Sequence, residues 1–149
     1  MALSDIFDPR SIKLNLASSS KTEAFQELIE TIAAVHPELD RETMLAAVQD
    51  RERKLNTSIA PGVAIPHGYY PGTGGIFGAL GVSPAGIAYE APDSNPVRYL
   101  FLLVLGESSR ERHLRVLNRI ASLINSGGGE LLRKAQTPEA VHDILSHIH

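Results

Sequence analysis

The chain has 149 residues, 43% of them hydrophobic, and carries 14 Lys plus Arg against 17 Asp plus Glu, a net charge of -3. This balance argues against nonspecific DNA or RNA binding, and the absence of cysteine excludes disulfides, thiolate metal sites and a cysteine nucleophile. Because the longest apolar run, residues 99–106, is far shorter than the roughly 20 residues that span a bilayer, and the acidic N-terminus does not resemble a signal peptide, we expect one cytoplasmic domain over residues 1–149 without membrane insertion.

The first predicted elements are a strand and an amphipathic helix. Residues 11–18 alternate apolar and polar positions, the period of a half-buried strand, at Ile12, Leu14 and Leu16. Ser20 and Glu23 then have the spacing of a capping box, which predicts a helix start. The helix that follows carries its apolar residues on one face: Phe25, Leu28, Ile29, Ile32 and Ala33.

A second helix is predicted over residues 41–54. Asp40 precedes it as a candidate N-cap, because its carboxylate can accept from the free backbone N–H groups of the first turn. Its inward face is predicted at Met44, Leu45 and Val48. The helix ends in a basic cluster, formed by Arg51, Arg53 and Lys54.

The segment from Thr57 to Gly106 changes to β-branched and apolar runs separated by Gly and Pro, which predicts three or four strands. Residues 97–106 place apolar side chains on both faces of a strand, so we expect this strand at the middle of the sheet with helices on both faces. The glycine-rich stretch 69–78 lacks the lysine of a phosphate-binding loop and is interpreted as a turn between strands.

Helices return after the strands. Ser108 and Glu111 are predicted to form a capping box, and the buried stripe of that helix is predicted at Leu114, Leu117, Ala121 and Ile124. Glycines 127–129 end it, a short helix follows at 130–135, and Thr137 is expected to cap the last helix. Helices on either side of a central β region predict an α/β fold of the α+β type: a three-layer α/β/α single domain with a central mixed sheet.

Histidine is the residue type that could carry chemistry. Three of the six lie at the C-terminus, where solvated rings are favoured over a metal site: His142, His147 and His149. His36 is expected at a helix end. His67 follows Ile65 and Pro66, a stiff pair that is expected to take the chain out of the sheet at an edge or end. From the residues alone, His67 is either a buried hydrogen-bonded histidine or a presented nucleophile.

Two further residues would suit a phosphoryl group. His113 lies near the start of the third helix, where the helix dipole attracts an anion and keeps an imidazole neutral. Arg51 offers a planar fork of donors for phosphate oxygens. Each also has a structural explanation, since an arginine at a helix C-terminus complements the dipole.

Two segments taken together resemble the type-2 IIA domains of the bacterial phosphoenolpyruvate-dependent phosphotransferase system (PTS), the fructose, mannitol and nitrogen-regulatory group. They are "RERKLNTSIAPGVAIPHG" (51–68) and, some 45 residues later, "HLRVLNRIASLI" (113–124). The family pattern has an Arg-Glu pair, a threonine five residues after that glutamate, a Gly-Val/Ile-Ala-Ile-Pro-His run and a later His-Leu. The matching positions are Arg51, Glu52, Thr57, Gly62 through Pro66 to His67, and His113 with Leu114.

The resemblance implies a phosphoryl carrier that needs neither a metal nor an organic cofactor. His67 would accept a phosphoryl group at Nε2 from phospho-HPr or its nitrogen-branch counterpart, His113 would orient or stabilise that group, and Arg51 would offset its charge. Glu52, Thr57, Gly62 and Pro66 would support the site. The group would pass to a IIB component or to a regulatory target.

The lack of a fused IIB, IIC or HPr-like segment favours the nitrogen-regulatory branch, and a sugar-specific fructose or mannitol IIA is the alternative. Three positions depart from the usual pattern. Asn56 stands where many members have serine, Ser58 replaces a common glycine, and Pro61 removes a backbone donor. These departures keep open a binding module that retains the fold without being phosphorylated, for which His67 would be dispensable.

Overall fold

A mixed six-stranded sheet forms the centre of the computed structural model, which describes residues 2–148. Along the sheet the strand order is β1-β5-β6-β3-β2, and β4 also pairs with β6. β5 runs antiparallel to β6, whereas β3 and β4 both run parallel to it. The strands are β1 (Ile12–Lys13), β2 (Ser58–Ala60), β3 (Val63–Ala64), β4 (His67–Gly74), β5 (Ile76–Ile87) and β6 (Val97–Glu107).

Five α-helices cover the two faces of this sheet in the described chain. They are α1 (Lys21–Val35), α2 (Arg41–Lys54), α3 (Arg110–Leu123), α4 (Gly129–Lys134) and α5 (Pro138–Ser146). The central strand β6 is buried on both sides: alternate residues Leu100, Leu102 and Val104 join the core under α1 and α2. Phe101, Leu103 and Leu105 join the core under α3, α4 and α5. The predicted three-layer α/β/α fold and the position of its central strand are confirmed.

The starts of α1 and α2 follow the predicted capping chemistry. The Ser20 hydroxyl accepts from the Glu23 N–H at 3.2 Å, and the Asp40 carboxylate accepts from the Thr43 N–H at 2.9 Å. In the return bond of the α1 capping box, the Glu23 carboxylate accepts from Ser19 N–H at 3.4 Å. The predicted apolar face of α1 is buried throughout.

The middle of the chain differs from the prediction in two ways. It forms five strands, because residues 69–74 of the predicted turn belong to β4, which pairs with β6, and the reversal is confined to the vicinity of Gly75, whose φ is +97°. The Ile65–Pro66 pair does not take the chain out of the sheet. It interrupts one long strand, and both halves, β3 and β4, stay on the same edge of β6.

The third helix starts one residue later than predicted and is rotated. Ser109, not Ser108, is the N-cap, with its hydroxyl accepting from Arg112 N–H at 3.1 Å. The fully buried positions are Val116, Ile120 and Leu123, one place from the predicted stripe, and Leu114 is 45% exposed. The buried set repeats at four and three residues, as a helix requires, so the period was right and its phase was wrong.

The chain ends agree in outline with the prediction. The first strand is shorter than expected, two residues, because Leu16 turns to the opposite core from Ile12. Thr137 caps α5 as predicted, and His36 forms the C-terminal end of α1. No helix within residues 2–148 is long and apolar enough to cross a membrane. His149, one of the three C-terminal histidines considered above, lies outside the described residues.

Candidate functional site

His67 begins β4, immediately after the break in the strand. Proline cannot donate to a sheet, yet the Pro66 carbonyl accepts from Leu103 N–H at 2.9 Å, so the chain stays attached to β6 across the break. His67 is level with Leu103, on the face of the sheet that α3 covers. Its ring is half-buried.

The hydrogen bonding of His67 fixes its tautomer. Nδ1 lies 2.9 Å from the carbonyl oxygen of Ile65. Because a carbonyl oxygen can only accept, Nδ1 must carry the proton and donate. In the neutral ring, Nε2 therefore holds the lone pair, which is the atom that a nucleophilic imidazole uses.

The surroundings of His67 favour that neutral ring. Burial lowers its pKa below the ordinary 6.5, and the positive charges of Arg51 and His113 lower it further. The hydrogen bond to Ile65 and the charge of Glu52 act in the opposite direction without reversing the shift. Near neutral pH the ring is therefore available as a base and a nucleophile.

Gly68 brings α2 against the strand that carries His67. A Cβ at this position would lie 2.5 Å from the carbonyl carbon of Ala47 and 2.6 Å from the amide nitrogen of Val48. Only glycine permits this approach of two backbones. The contact places Arg51, one turn further along α2, close to the histidine on the adjoining strand.

A cavity of about 230 Å³ connects two of the three predicted phosphate-site residues, His67 and Arg51. His67 and Ile65 line one side, Arg51 and residues 56–59 another, and α3 closes it with Leu117, Asn118 and Ala121. Arg51 donates through Nη1 to the Leu55 carbonyl at 2.9 Å, which caps its own helix. A guanidinium has five N–H groups, so this bond leaves others that can reach an anion.

Glu52 lies behind the cavity as a buried carboxylate at the centre of a hydrogen-bond network. Oε2 accepts from Thr57 N–H and from Lys21 Nζ, each at 3.0 Å. Oε1 accepts from the Thr57 hydroxyl and, at 2.9 Å, from the Tyr89 hydroxyl. Lys21 also lies 4.4 Å from the centre of the Tyr89 ring. Burial, first, and the negative charge of Glu52 raise the pKa of Tyr89, so its phenol remains a donor.

This network shows what two of the predicted supporting residues do. Glu52 does not line the cavity; it fixes the backbone and hydroxyl of Thr57, which does. Lys21 and Tyr89, which complete the network, were not predicted from the sequence. Their positions, 31 residues before Glu52 and 37 after it, carry no local signal of the contact.

The segment from α2 through β2 to β3 is held by hydrogen bonds to the backbone. Asn56 donates through Nδ2 to the carbonyls of Tyr89 at 2.9 Å and Glu90 at 3.2 Å, and its Oδ1 accepts from Ser58 N–H at 2.9 Å. Gly62 turns the chain with a φ of +82°, and its carbonyl accepts from Arg98 and Tyr99 N–H. Gly62 therefore shapes the approach to the site without touching it.

His113 lies on α3, one turn before the residues that close the cavity. Its Nε2 is 3.0 Å from the Gly106 carbonyl, so Nε2 carries a proton and donates. A contact with an anion in the cavity would then have to come from Nδ1, which donates only when the ring holds two protons. His113 influences His67 electrostatically and does not itself line the cavity.

His142 and His147 make contacts away from this site. His142 bonds through Nε2 to the Ser4 carbonyl at 3.0 Å, and His147 through Nδ1 to the Asp143 carbonyl at 2.8 Å. Within the described part of the chain, no group of three or more His, Cys, Asp or Glu side chains is arranged to hold a metal ion. These contacts support the structural interpretation of the two rings.

Fold and site together define an α/β domain that presents one imidazole nitrogen, with its lone pair, to an arginine-lined cavity. The pattern of one family matches residues 5–148: the EIIA 2 component of the phosphoenolpyruvate-dependent sugar phosphotransferase system. Because that match spans nearly the whole chain, the protein belongs to this family, and the resemblance noted in the sequence is confirmed.

Individual relatives carry both branch names. A nitrogen regulatory protein of Bradyrhizobium diazoefficiens is 33% identical over 147 residues, covering 98% of this chain and 95% of that protein. A fructose-specific EIIABC component of Bacillus subtilis is 28% identical over 98% of this chain, which corresponds to 23% of that larger protein. The crystal structure of nitrogen regulatory protein IIA-Ntr from Neisseria meningitidis superimposes with a TM-score of 0.88 at 28% identity, covering 96% of this chain and 98% of the other.

Proposed function

We propose that the protein is a single-domain phosphoryl carrier of the phosphotransferase system and that His67 is its phosphoryl acceptor. The observation that carries the proposal is the Nδ1 bond from His67 to the Ile65 carbonyl, which leaves the Nε2 lone pair for attack beside Arg51. Membership of the family supports a phosphotransfer role in general. We assign the carrier to the cytoplasm, where the proteins of this phosphoryl chain operate.

Phosphoryl transfer requires little of the protein except to position the reacting groups and to stabilise their charge. The Nε2 lone pair of His67 forms a bond to the donor's phosphorus, the donor's own N–P bond breaks, and that electron pair returns to the donor imidazole. Nδ1 keeps its proton, and the Ile65 carbonyl stabilises the positive charge that the phosphorylated ring acquires. When the donor ring carries a proton on its other nitrogen, it leaves as a neutral imidazole and no proton has to be moved, which suits a reversible transfer.

Arg51 and His113 would act on the charge of the phosphoryl group. Arg51 lines the same cavity as His67 and can add planar N–H donors to those oxygens. His113 would orient or stabilise the group from α3, where its Nε2 donates to the Gly106 carbonyl. Glu52, Thr57, Gly62 and Pro66 hold the surrounding backbone.

Exposed apolar side chains beside the cavity would suit a transient protein partner. Ile59, which lines the cavity, is 42% exposed, and Leu55, whose carbonyl accepts from Arg51, is 69% exposed. We assign this surface to the phosphoryl donor, HPr or its nitrogen-branch counterpart, and to the acceptor in turn. The acceptor would be a IIB component or a regulatory target protein.

We favour the nitrogen-regulatory branch, because the Bradyrhizobium relative that is 33% identical and matches along 95% of its length carries that name. A sugar-specific IIA that acts with a separate IIB component is the second candidate. The fructose-specific relative supports it at 28% identity. Purified IIB components that accept the phosphoryl group would favour the sugar branch.

The test is phosphoryl uptake from phosphoenolpyruvate through enzyme I and HPr, or their nitrogen-branch counterparts, followed by intact mass at alkaline pH. We expect a gain of about 80 Da, one phosphoryl group, for wild type and for a control, His147→Ala, whose ring is exposed. His67→Ala should show no gain. A gain in His67→Ala, or none in wild type with either donor, would contradict the proposal, and the second result would favour an unphosphorylated binding module.

A further inference from the structure

A phosphoryl group on His67 needs hydrogen-bond donors beyond Arg51. It has three strong acceptor oxygens and close to two negative charges near neutral pH, and charge-assisted bonds to such oxygens are among the strongest in proteins. Donors that reach these oxygens must line the cavity beside His67. Its polar lining outside His67 consists of Arg51, Asn56, Thr57, Ser58 and Asn118.

Two of those residues already donate their hydrogen bonds to other groups. Thr57 gives both its backbone N–H and its hydroxyl to Glu52, on the side away from the cavity. Asn56 gives its amide to the carbonyls of Tyr89 and Glu90. The backbone N–H of Ser58 is also occupied, by Asn56 Oδ1. Breaking these bonds to reach a phosphate would leave buried groups such as Glu52 unsatisfied.

The Ser58 hydroxyl and the Asn118 amide remain. Neither side chain has a hydrogen-bond partner among residues 2–148, although both line the cavity. They approach from different elements, Ser58 at the start of β2 and Asn118 on α3, so the pair can contact different phosphate oxygens. Ser58 stands where the family pattern commonly has glycine, which offers no hydroxyl.

We propose that Ser58 and Asn118 are phosphate ligands of this chain: the Ser58 hydroxyl and the Asn118 amide donate to the phosphoryl oxygens on His67, alongside Arg51. The inference rests on the proposed function, because it concerns the same phosphohistidine. With the Ser58 hydroxyl as a ligand, the phosphorylated form of this protein is more stable, relative to the phosphorylated donor, than it would be with glycine at position 58.

The quantity to measure is the equilibrium constant for exchange of the phosphoryl group between HPr and this protein, read by intact mass after the mixture stops changing. Protein docking alters the rates in both directions and leaves this constant unchanged, so it separates a phosphate ligand from a docking residue. We expect Ser58→Ala and Asn118→Ala each to shift it roughly 10- to 100-fold towards phospho-HPr, the loss of one hydrogen bond to a charged group. Ser58→Thr, which keeps the hydroxyl, should restore it.

The controls are Ser19→Ala and Asn125→Ala, exposed residues of the same types outside the cavity, which should leave the constant unchanged. Circular dichroism establishes that each variant is folded. An unchanged constant in Ser58→Ala and Asn118→Ala, with wild type phosphorylated on His67, would overturn this inference alone. Failure of wild type to accept a phosphoryl group at all would overturn the proposed function and this inference with it.

Discussion

The contact between Gly68 and α2 gives a prediction that can be worked out from distances. Gly68→Ala would introduce a Cβ at 2.5 Å from the Ala47 carbonyl carbon, whereas atoms in contact prefer about 3.5–4.0 Å. Both sides of the contact are backbone, so β4 and α2 must separate by about 1 Å. Such overpacking lowers the free energy of unfolding by about 1–3 kcal/mol, or roughly 2–4 °C in Tm for each kcal/mol in a chain of this size.

The same displacement should affect function, because α2 carries Arg51 and β4 carries His67. A misplacement of about 1 Å at a reacting centre can slow a reaction about 100-fold. Thermal unfolding followed by circular dichroism and the rate of phosphohistidine formation measure the two effects. The matched control is Gly74→Ala on the same strand, where a Cβ meets nothing closer than the Glu107 carbonyl oxygen at 3.9 Å. Equal Tm values and equal rates for the two variants would refute the argument.

Three further predictions concern the network and the acceptor. Lys21→Met leaves the Glu52 carboxylate, which is 5% exposed, without its cation and should lower the free energy of unfolding in urea by about 3 kcal/mol. The control Lys13→Met breaks a more exposed ion pair and should lower it by less than about 1 kcal/mol. Similar losses in the two variants would contradict the buried role of Lys21. Tyr89→Phe removes a buried hydroxyl and should cost about 1 kcal/mol in the same assay, and no loss would argue against the bond to Glu52. The pKa of His67 is lower in the folded state than the ordinary 6.5, so the unfolded state binds more protons as the pH falls through 6.5. Wild type should therefore lose stability relative to His67→Gln between about pH 7 and pH 5. Parallel curves of unfolding free energy against pH for the two proteins would contradict the lowered pKa.

The fold could be predicted largely because its layers follow the sequence pattern directly. Residues 97–106 place apolar side chains on both faces of a strand, and the structure buries β6 on both faces from Leu100 to Gly106. The cap residues Ser20, Asp40 and Thr137 act locally, so their spacing was sufficient. In α3 two adjacent serines could each cap, and apolar residues at 114, 117, 121 and 124 compete with those at 116, 120 and 123. Only packing against β6 decides between the two faces.

The candidate site was predictable in its residues and not in its geometry. The resemblance selected Arg51 and His67, which line one cavity, whereas the proton on Nδ1 of His67 depends on the carbonyl two residues earlier. Glu52, expected from the resemblance to support the site, lies behind Thr57 and accepts from its N–H and hydroxyl. Its partner Lys21 comes from another helix. Contacts between residues this far apart depend on how α1 and α2 pack, which no local pattern describes.

The most direct test of the account is an NMR measurement on the protein with ¹⁵N-labelled histidine, before and after phosphoryl transfer. Before transfer, His67 should show a proton on Nδ1 and an unprotonated Nε2 near neutral pH. After transfer, ³¹P coupling should appear at Nε2 of His67, with the Nδ1 proton retained. Coupling at Nδ1 of His67, or at the ring of any other histidine, would contradict the claim that the Ile65 carbonyl selects Nε2 as the acceptor.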